Sequence, residues 1–155
     1  MALTSAANVA AMAPNLTASE AVLSALIDRA GVALARHCGY PAASPGAAPT
    51  LESATYTLFS GGYQVRRKSG RVLVVEPYPV TSITSIHDDP DEEYGSSDLV
   101  AASDYVQRGD EGEVIVLKLD AIHGGWSTGE RAIKIVFVAG YSSVPADIET
   151  AAIEY

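Results

Sequence analysis

Cysteine and histidine are scarce in this sequence. Cys38 is the only cysteine, which excludes a disulfide within the chain and favours a reducing compartment such as the cytoplasm. The three histidines, His37, His87 and His123, are scattered, and none has the i, i+4 partner or the cysteine pairing of a zinc site. The sequence also lacks a phosphate-binding glycine loop and a GxSxG motif. We therefore expect a protein that is not an enzyme and needs no metal or other cofactor.

Positive charge is scarce as well. Ten Lys and Arg stand against nineteen Asp and Glu, which gives a net charge of −9. Because neutralisation of phosphates by Lys and Arg supplies most non-specific affinity for DNA, this balance disfavours a protein that wraps or clamps DNA. It is compatible with a ring through which DNA slides without being bound.

Long apolar runs are also missing. No run approaches the ~20 residues that a membrane helix needs. No Lys or Arg precedes Arg29, so the positive region of a signal peptide is lacking. We expect a soluble chain without a membrane partner, in which residues 1–16 form a flexible or partner-ordered arm and residues 17–155 form one domain.

Two stretches show the apolar spacing of amphipathic helices. The first has a capping pair, Thr17 and Glu20, at its start and Gly39 at its end. The second begins after Pro145, which the first turn of a helix tolerates. Its apolar stripe consists of Ile148, Ala151, Ala152 and Tyr155.

Between these helices, β-branched and aromatic runs predict a small antiparallel sheet. Residues 54–59, 63–67 and 72–75 are separated by glycine turns and predict a meander, whose third strand suits burial on both faces. Pro77 and Pro79 predict a rigid extended crossing before the next strand. Residues 103–119 predict a hairpin, and residues 133–137 alternate as a final strand. The expected fold is α+β, with the C-terminal helix packed on the sheet.

Two charge clusters interrupt this pattern. The basic cluster is Arg66, Arg67 and Lys68, and the acidic cluster is Asp88, Asp89, Asp91, Glu92 and Glu93. Close carboxylates suit a hard cation, but their register does not match a calcium loop. We therefore interpret the acidic cluster as a solvated insertion between strands.

The order of several motifs resembles the head-tail connector (adaptor) proteins of long-tailed bacteriophages and gene transfer agents. The motifs are LIDRAGVALARHCGY, an apolar strand followed by a proline and VTSITSI, SDYV, the lone Trp126, IKIVFVAGY and VPADIETAAIEY. The resemblance covers residues 17–155 and implies a structural protein of the virion neck, assembled in the host bacterial cytoplasm. It also implies that the last helix continues beyond Tyr155 into a tail.

The resemblance implies a dodecameric ring that binds the portal protein and a head-closure (stopper) or tail-completion protein. DNA would pass through its channel without specific binding. A ring of identical chains needs two different, complementary patches on each subunit. The candidate subunit or portal interface comprises Arg66, Arg67, Lys68, Asp88, Asp89, Asp91, Glu92, Glu93, Ile148, Ala152 and Tyr155. The alternative interpretation, two unrelated solvated turns, stays open for either charge cluster.

A second interpretation is a small β-rich module that binds a ligand or a tail-fibre partner through aromatic anchors. The candidate anchors are Tyr56, Tyr63, Tyr78, Tyr94, Tyr105 and Trp126. Strand alternation places several of them where a core would bury them, so the adaptor interpretation is preferred.

Overall fold

A computed structural model of the chain describes residues 4–15, 17–60, 65–119, 121 and 124–154; the side chains of Arg67 and residues 151–154 are not described. Helices combine with antiparallel sheets, which confirms the predicted α+β class. The chain divides into two compact units. The helical unit contains residues 1–53 and 141–155, and the β unit contains residues 54–140.

The helical unit contains α1 (Ala6–Met12), α2 (Glu20–His37) and α3 (Ala146–Glu154). The segment expected to be an arm thus includes a helix, whose N-cap Ser5 accepts a hydrogen bond from the Asn8 amide at 3.1 Å. The α2 helix packs against both α1 and α3. The C-terminal helix α3 belongs to the helical unit, and its predicted packing on the sheet stays a prediction.

The boundaries of α2 differ from the prediction at one end only. Ser19, rather than Thr17, is its N-cap, and no side chain caps its first turn. At the other end Gly39 has a φ of 80°, as expected for a glycine that ends a helix. The sequence spacing predicts an apolar stripe of Val22, Leu23, Leu26, Ile27, Ala30, Ala33 and Leu34 on this helix. Leu23 and Ile27 are buried, whereas Leu26 is 53% exposed.

The described residues of the β unit form seven strands and one short 3₁₀ helix, Ser96–Asp98. The strands are β1 (Ala54–Phe59), β2 (Val65–Ser69), β3 (Val72–Val75), β4 (Val80–Asp88), β5 (Tyr105–Arg108), β6 (Val114–Leu117) and β7 (Ile133–Ala139). A three-stranded sheet has the order β1-β7-β4, and a four-stranded sheet has the order β2-β3-β6-β5. All of these pairings are antiparallel.

The three-stranded sheet is built around β7. Its residues alternate as predicted, with Ile133, Ile135, Phe137 and Ala139 buried. Phe137 pairs with Tyr56 across the sheet, and the two rings stack with their centroids 5.8 Å apart. Burial of such side chains is the main source of stability in this sheet.

The predicted meander is wrong in its first step. β1 pairs with β7, so it lies in a different sheet from the β2–β3 hairpin. The predicted hairpin of residues 103–119 is confirmed as the β5–β6 pair, and Gly109 in its turn has a φ of 94°.

The strand β3 is buried on one face only, which corrects the prediction that both faces are buried. Leu73 and Val75 are fully buried, whereas Val72 and Val74 are half-exposed. The same alternation holds in β6, where Ile115 and Leu117 are buried. Because both faces of β3 carry β-branched or apolar residues, the sequence pattern did not separate them.

Candidate functional site and interaction surfaces

Two members of the predicted acidic cluster lie below the surface. Asp88 is 8% exposed, and its carboxylate accepts a hydrogen bond from the Ser127 amide at 3.1 Å. Asp89 is 5% exposed and accepts hydrogen bonds from the amides of Asp91, Glu93 and Tyr94 at 2.7–2.8 Å. These amides, that of Tyr94 foremost, lower the pKa of Asp89. The Asp89 carboxylate therefore fixes the loop after β4, whereas the Asp88 carboxylate holds the backbone at Ser127. Neither carboxylate is part of the outer surface.

The remaining acidic residues, Asp91, Glu92 and Glu93, are exposed and are called the acidic tip below. Glu92 forms an ion pair with Arg131 at 3.1 Å. The Arg131 guanidinium lies 3.9 Å from the centre of the Phe59 ring. Burial raises the pKa of Tyr94, whose hydroxyl donates to the Arg131 carbonyl at 2.5 Å. Aromatic and cationic side chains therefore pack next to the acidic tip and hold it in place.

The predicted basic cluster lies on β2, an edge strand of the four-stranded sheet. Arg66 is exposed and forms an ion pair with Glu76. Lys68 is exposed beside the register shift between Arg67 and Ser69. The side chain of Arg67 lies outside the described part of the chain.

A second group of cations, which the sequence analysis did not single out, lies on the same sheet. Arg71, Arg108 and Lys118 line an open groove of about 620 Å³ and are called the basic rim below. The Arg71 guanidinium donates twice to the Leu117 carbonyl, at 2.6 and 3.1 Å, which holds it across the end of β6. Next to Lys118, Leu119 is 91% exposed.

The floor of this groove belongs to a continuous apolar patch. The patch, called the valine face below, consists of the half-exposed residues Val72, Val74, Val106, Val114 and Val116. Strand pairing places Val72 and Val106 on either side of Val116, and Val74 beside Val114. The signal in the sequence was the adjacency of Arg71 to Val72 and of Lys118 to the apolar run of β6.

The predicted interface residues of the last helix are only partly described. Ile148 is half-buried, the side chain of Ala152 is not described, and Tyr155 lies outside the described residues. In the same helix, the Glu149 carboxylate accepts hydrogen bonds from the Thr4 hydroxyl and from the side-chain amide of Asn8, the latter at 2.8 Å. These bonds, that from Thr4 foremost, lower the pKa of Glu149. They join the α1 region to α3 within the helical unit.

Two of the described aromatic anchors of the alternative interpretation are not available at the surface. Tyr56 and Trp126 are buried in the β unit, as strand alternation predicted for part of this set. Tyr78 is 48% exposed, and Tyr94 and Tyr105 are half-buried. Tyr63 lies outside the described residues.

Among the described residues, no three His, Cys, Asp or Glu side chains are grouped so that they could hold a metal ion. The part of the chain that the structure describes also contains no helix with the length and apolar character needed to cross a membrane. No protein-family model matches the sequence, and no curated protein matches it.

Proposed function

We propose that this chain is a structural head-tail adaptor of a phage or phage-like particle. Copies of it would form a ring that joins the portal vertex to the tail-proximal neck proteins, with the DNA channel at its centre. The order of motifs from the α2 region to α3 supports this proposal, because it resembles that of adaptor proteins.

The observation that carries the proposal is the separation of opposite charges on the β unit. The exposed acidic tip follows β4 of the three-stranded sheet, and the basic rim lies on the four-stranded sheet. A closed ring needs two such different and complementary surfaces on every subunit. The presence of both charged surfaces on the β unit supports the proposal.

The partners of the proposed ring are other copies of the chain, the portal protein and a head-closure (stopper) or tail-completion protein. The resemblance implies a dodecamer. With a net charge of −9, the chain suits a channel through which DNA passes without specific binding. The proposed location is the virion neck, after assembly in the host bacterial cytoplasm, and the proposed role involves no catalysis.

Co-sedimentation with capsids tests this function. The purified chain is mixed with tailless capsids of the phage or phage-like particle. One set of capsids carries the portal and the other lacks it, and each mixture is centrifuged through a sucrose cushion. The proposal predicts that the chain pellets only with portal-bearing capsids. Equal recovery with both kinds of capsid, or recovery with neither, would contradict it.

A further inference from the structure

The valine face is an apolar surface that spans three adjacent strands of the four-stranded sheet. Val116 on β6 has Val72 of β3 on one side and Val106 of β5 on the other. These valines keep part of their surface exposed on three adjacent strands, beside the exposed Leu119 and the cations of the basic rim. Adjacent apolar and charged groups of this kind favour contact with another molecule.

The basic rim determines the charge of that occupant. Within the described part of the chain, Arg71, Arg108 and Lys118 form no ion pair. The carboxylate of Glu113, in the adjacent turn, accepts a hydrogen bond from the Glu111 amide at 3.2 Å. It therefore stabilises the turn. The chain has nineteen acidic residues, yet these three cations form no ion pair with a described carboxylate, and they lie beside an apolar floor. This arrangement favours an anionic partner.

A second copy of the chain offers a matching surface. Its acidic tip is exposed, and Leu99, which is 47% exposed, follows in the same segment. This segment is anchored at both ends, because the amides of Asp89 and Val100 donate to backbone carbonyls at 2.7 and 2.8 Å. Carboxylates and an exposed leucine on a fixed base complement a groove that has cations, a valine floor and the exposed Leu119.

We infer that the valine face and basic rim of one copy receive the acidic tip of the next copy. The contact is heterologous, since the two surfaces differ and lie on different sheets of the β unit. Repetition of a heterologous contact closes a ring when the rotation between subunits allows it. The inference rests on the proposed adaptor function and deepens it by naming the contact between subunits.

Charge reversal tests this contact on the purified full chain. The first variant, Arg108→Glu with Lys118→Glu, reverses the basic rim. The second, Asp91→Lys with Glu93→Lys, reverses the acidic tip and leaves the Glu92–Arg131 ion pair in place. Sedimentation velocity between micromolar and millimolar concentration measures self-association. Each variant is expected to weaken self-association at least about tenfold.

The combined variant distinguishes a direct contact from a general effect of charge. It carries all four reversals, keeps the net charge of the natural chain and restores opposite charges across the proposed contact. We expect it to regain most of the self-association that either pair of substitutions removes. The matched control, Arg29→Glu with Arg36→Glu on exposed positions of α2, changes the charge as the first variant does and should associate normally.

Three results would overturn the inference: a natural chain that stays monomeric throughout, unchanged association in both double variants, or no recovery in the combined variant. The natural chain can also be tested for binding to duplex DNA at physiological salt. If it binds, and only the basic-rim variant loses this binding, the groove belongs to nucleic acid instead. The assay contains no capsids, so its failure is distinct from failure of the proposed function. A chain that joins portal-bearing capsids but associates through another surface would retain that function.

Discussion

The two sheets of the β unit differ in the faces that they turn away from the core. Beside Val136 and Val138 of β7, the outer face of the three-stranded sheet carries Thr55, Thr57 and Ser82 on the flanking strands. The corresponding face of the four-stranded sheet carries valines on three adjacent strands. Polar flanks are compatible with permanent contact with water, whereas a continuous valine surface suits a face that a partner covers.

The core of the three-stranded sheet should show the largest loss of stability. Phe137→Ala removes a fully buried ring that stacks on Tyr56, and we expect it to cost about 3–5 kcal/mol of the free energy of unfolding. Urea denaturation followed by circular dichroism measures this cost. The neighbouring Val136→Ala on the outer face is the control and should cost less than half as much. Equal costs would mean that the two faces of β7 are not distinct.

The place where the two sheets meet should be nearly as sensitive. Gly112 has a φ of 70°, and a Cβ atom there would lie 2.4 Å from the carbonyl oxygen of Val80, the first residue of β4. We expect Gly112→Ala to cost about 2–3 kcal/mol, because it adds a steric clash to a left-handed backbone. The control is Gly46→Ala, which has a φ of 82° and open space around the new Cβ. If both variants lose the same stability, the clash with Val80 is not real.

A matched pair on β3 compares the two faces of the four-stranded sheet directly. Val75 is fully buried and Val74 is half-exposed, so Val→Thr makes the same chemical change in two environments. We expect Val75→Thr to cost about 1–3 kcal/mol, since it buries a hydroxyl group. Val74→Thr should stay within about 0.5 kcal/mol of the natural chain. Thermal or urea denaturation of both variants decides whether the valine face is open in the free chain.

The sequence predicted β7 correctly because the apolar residues of this central strand alternate, and alternate side chains of a regular strand point to the same face. It did not reveal the two faces of β3, where Val72 and Val74 look like the buried Leu73 and Val75. The pairing of β1 with β7 joins residues 54–59 to residues 133–139, and no local pattern encodes a contact of that range. For the same reason the sequence did not show that α3 packs with α2.

The charged surfaces could be predicted only in part, because the sequence shows runs of charge but not charges that folding brings together. Arg66, Arg67 and Lys68 are consecutive, so they stood out in the sequence, whereas the basic rim is assembled from three separate positions. The acidic cluster stood out as a run, yet its first two members are buried. Burial of Asp88 and Asp89, and the amides that bond to Asp89, distinguish these two carboxylates from the exposed tip.

The smallest predicted effect is the pH dependence that Asp89 contributes. Its pKa in the folded chain lies below the ordinary value of 3.8, so the ionised group stabilises the fold above that value. This contribution is lost as the pH falls through the lowered pKa, because protonation weakens the bonds from the amides. Asp89→Asn should therefore flatten the acid end of a plot of unfolding midpoint against pH. Asp91→Asn, an exposed neighbour, serves as the control, and a flattened plot for both would contradict the assignment.

Electron cryomicroscopy of portal-bearing capsids with the chain bound would show whether copies of the chain form the neck ring. We expect a closed ring around the DNA channel, in which the acidic tip of each copy covers the valine face and basic rim of its neighbour. A neck without such a ring, or a ring whose valine faces all remain open to solvent, would contradict it.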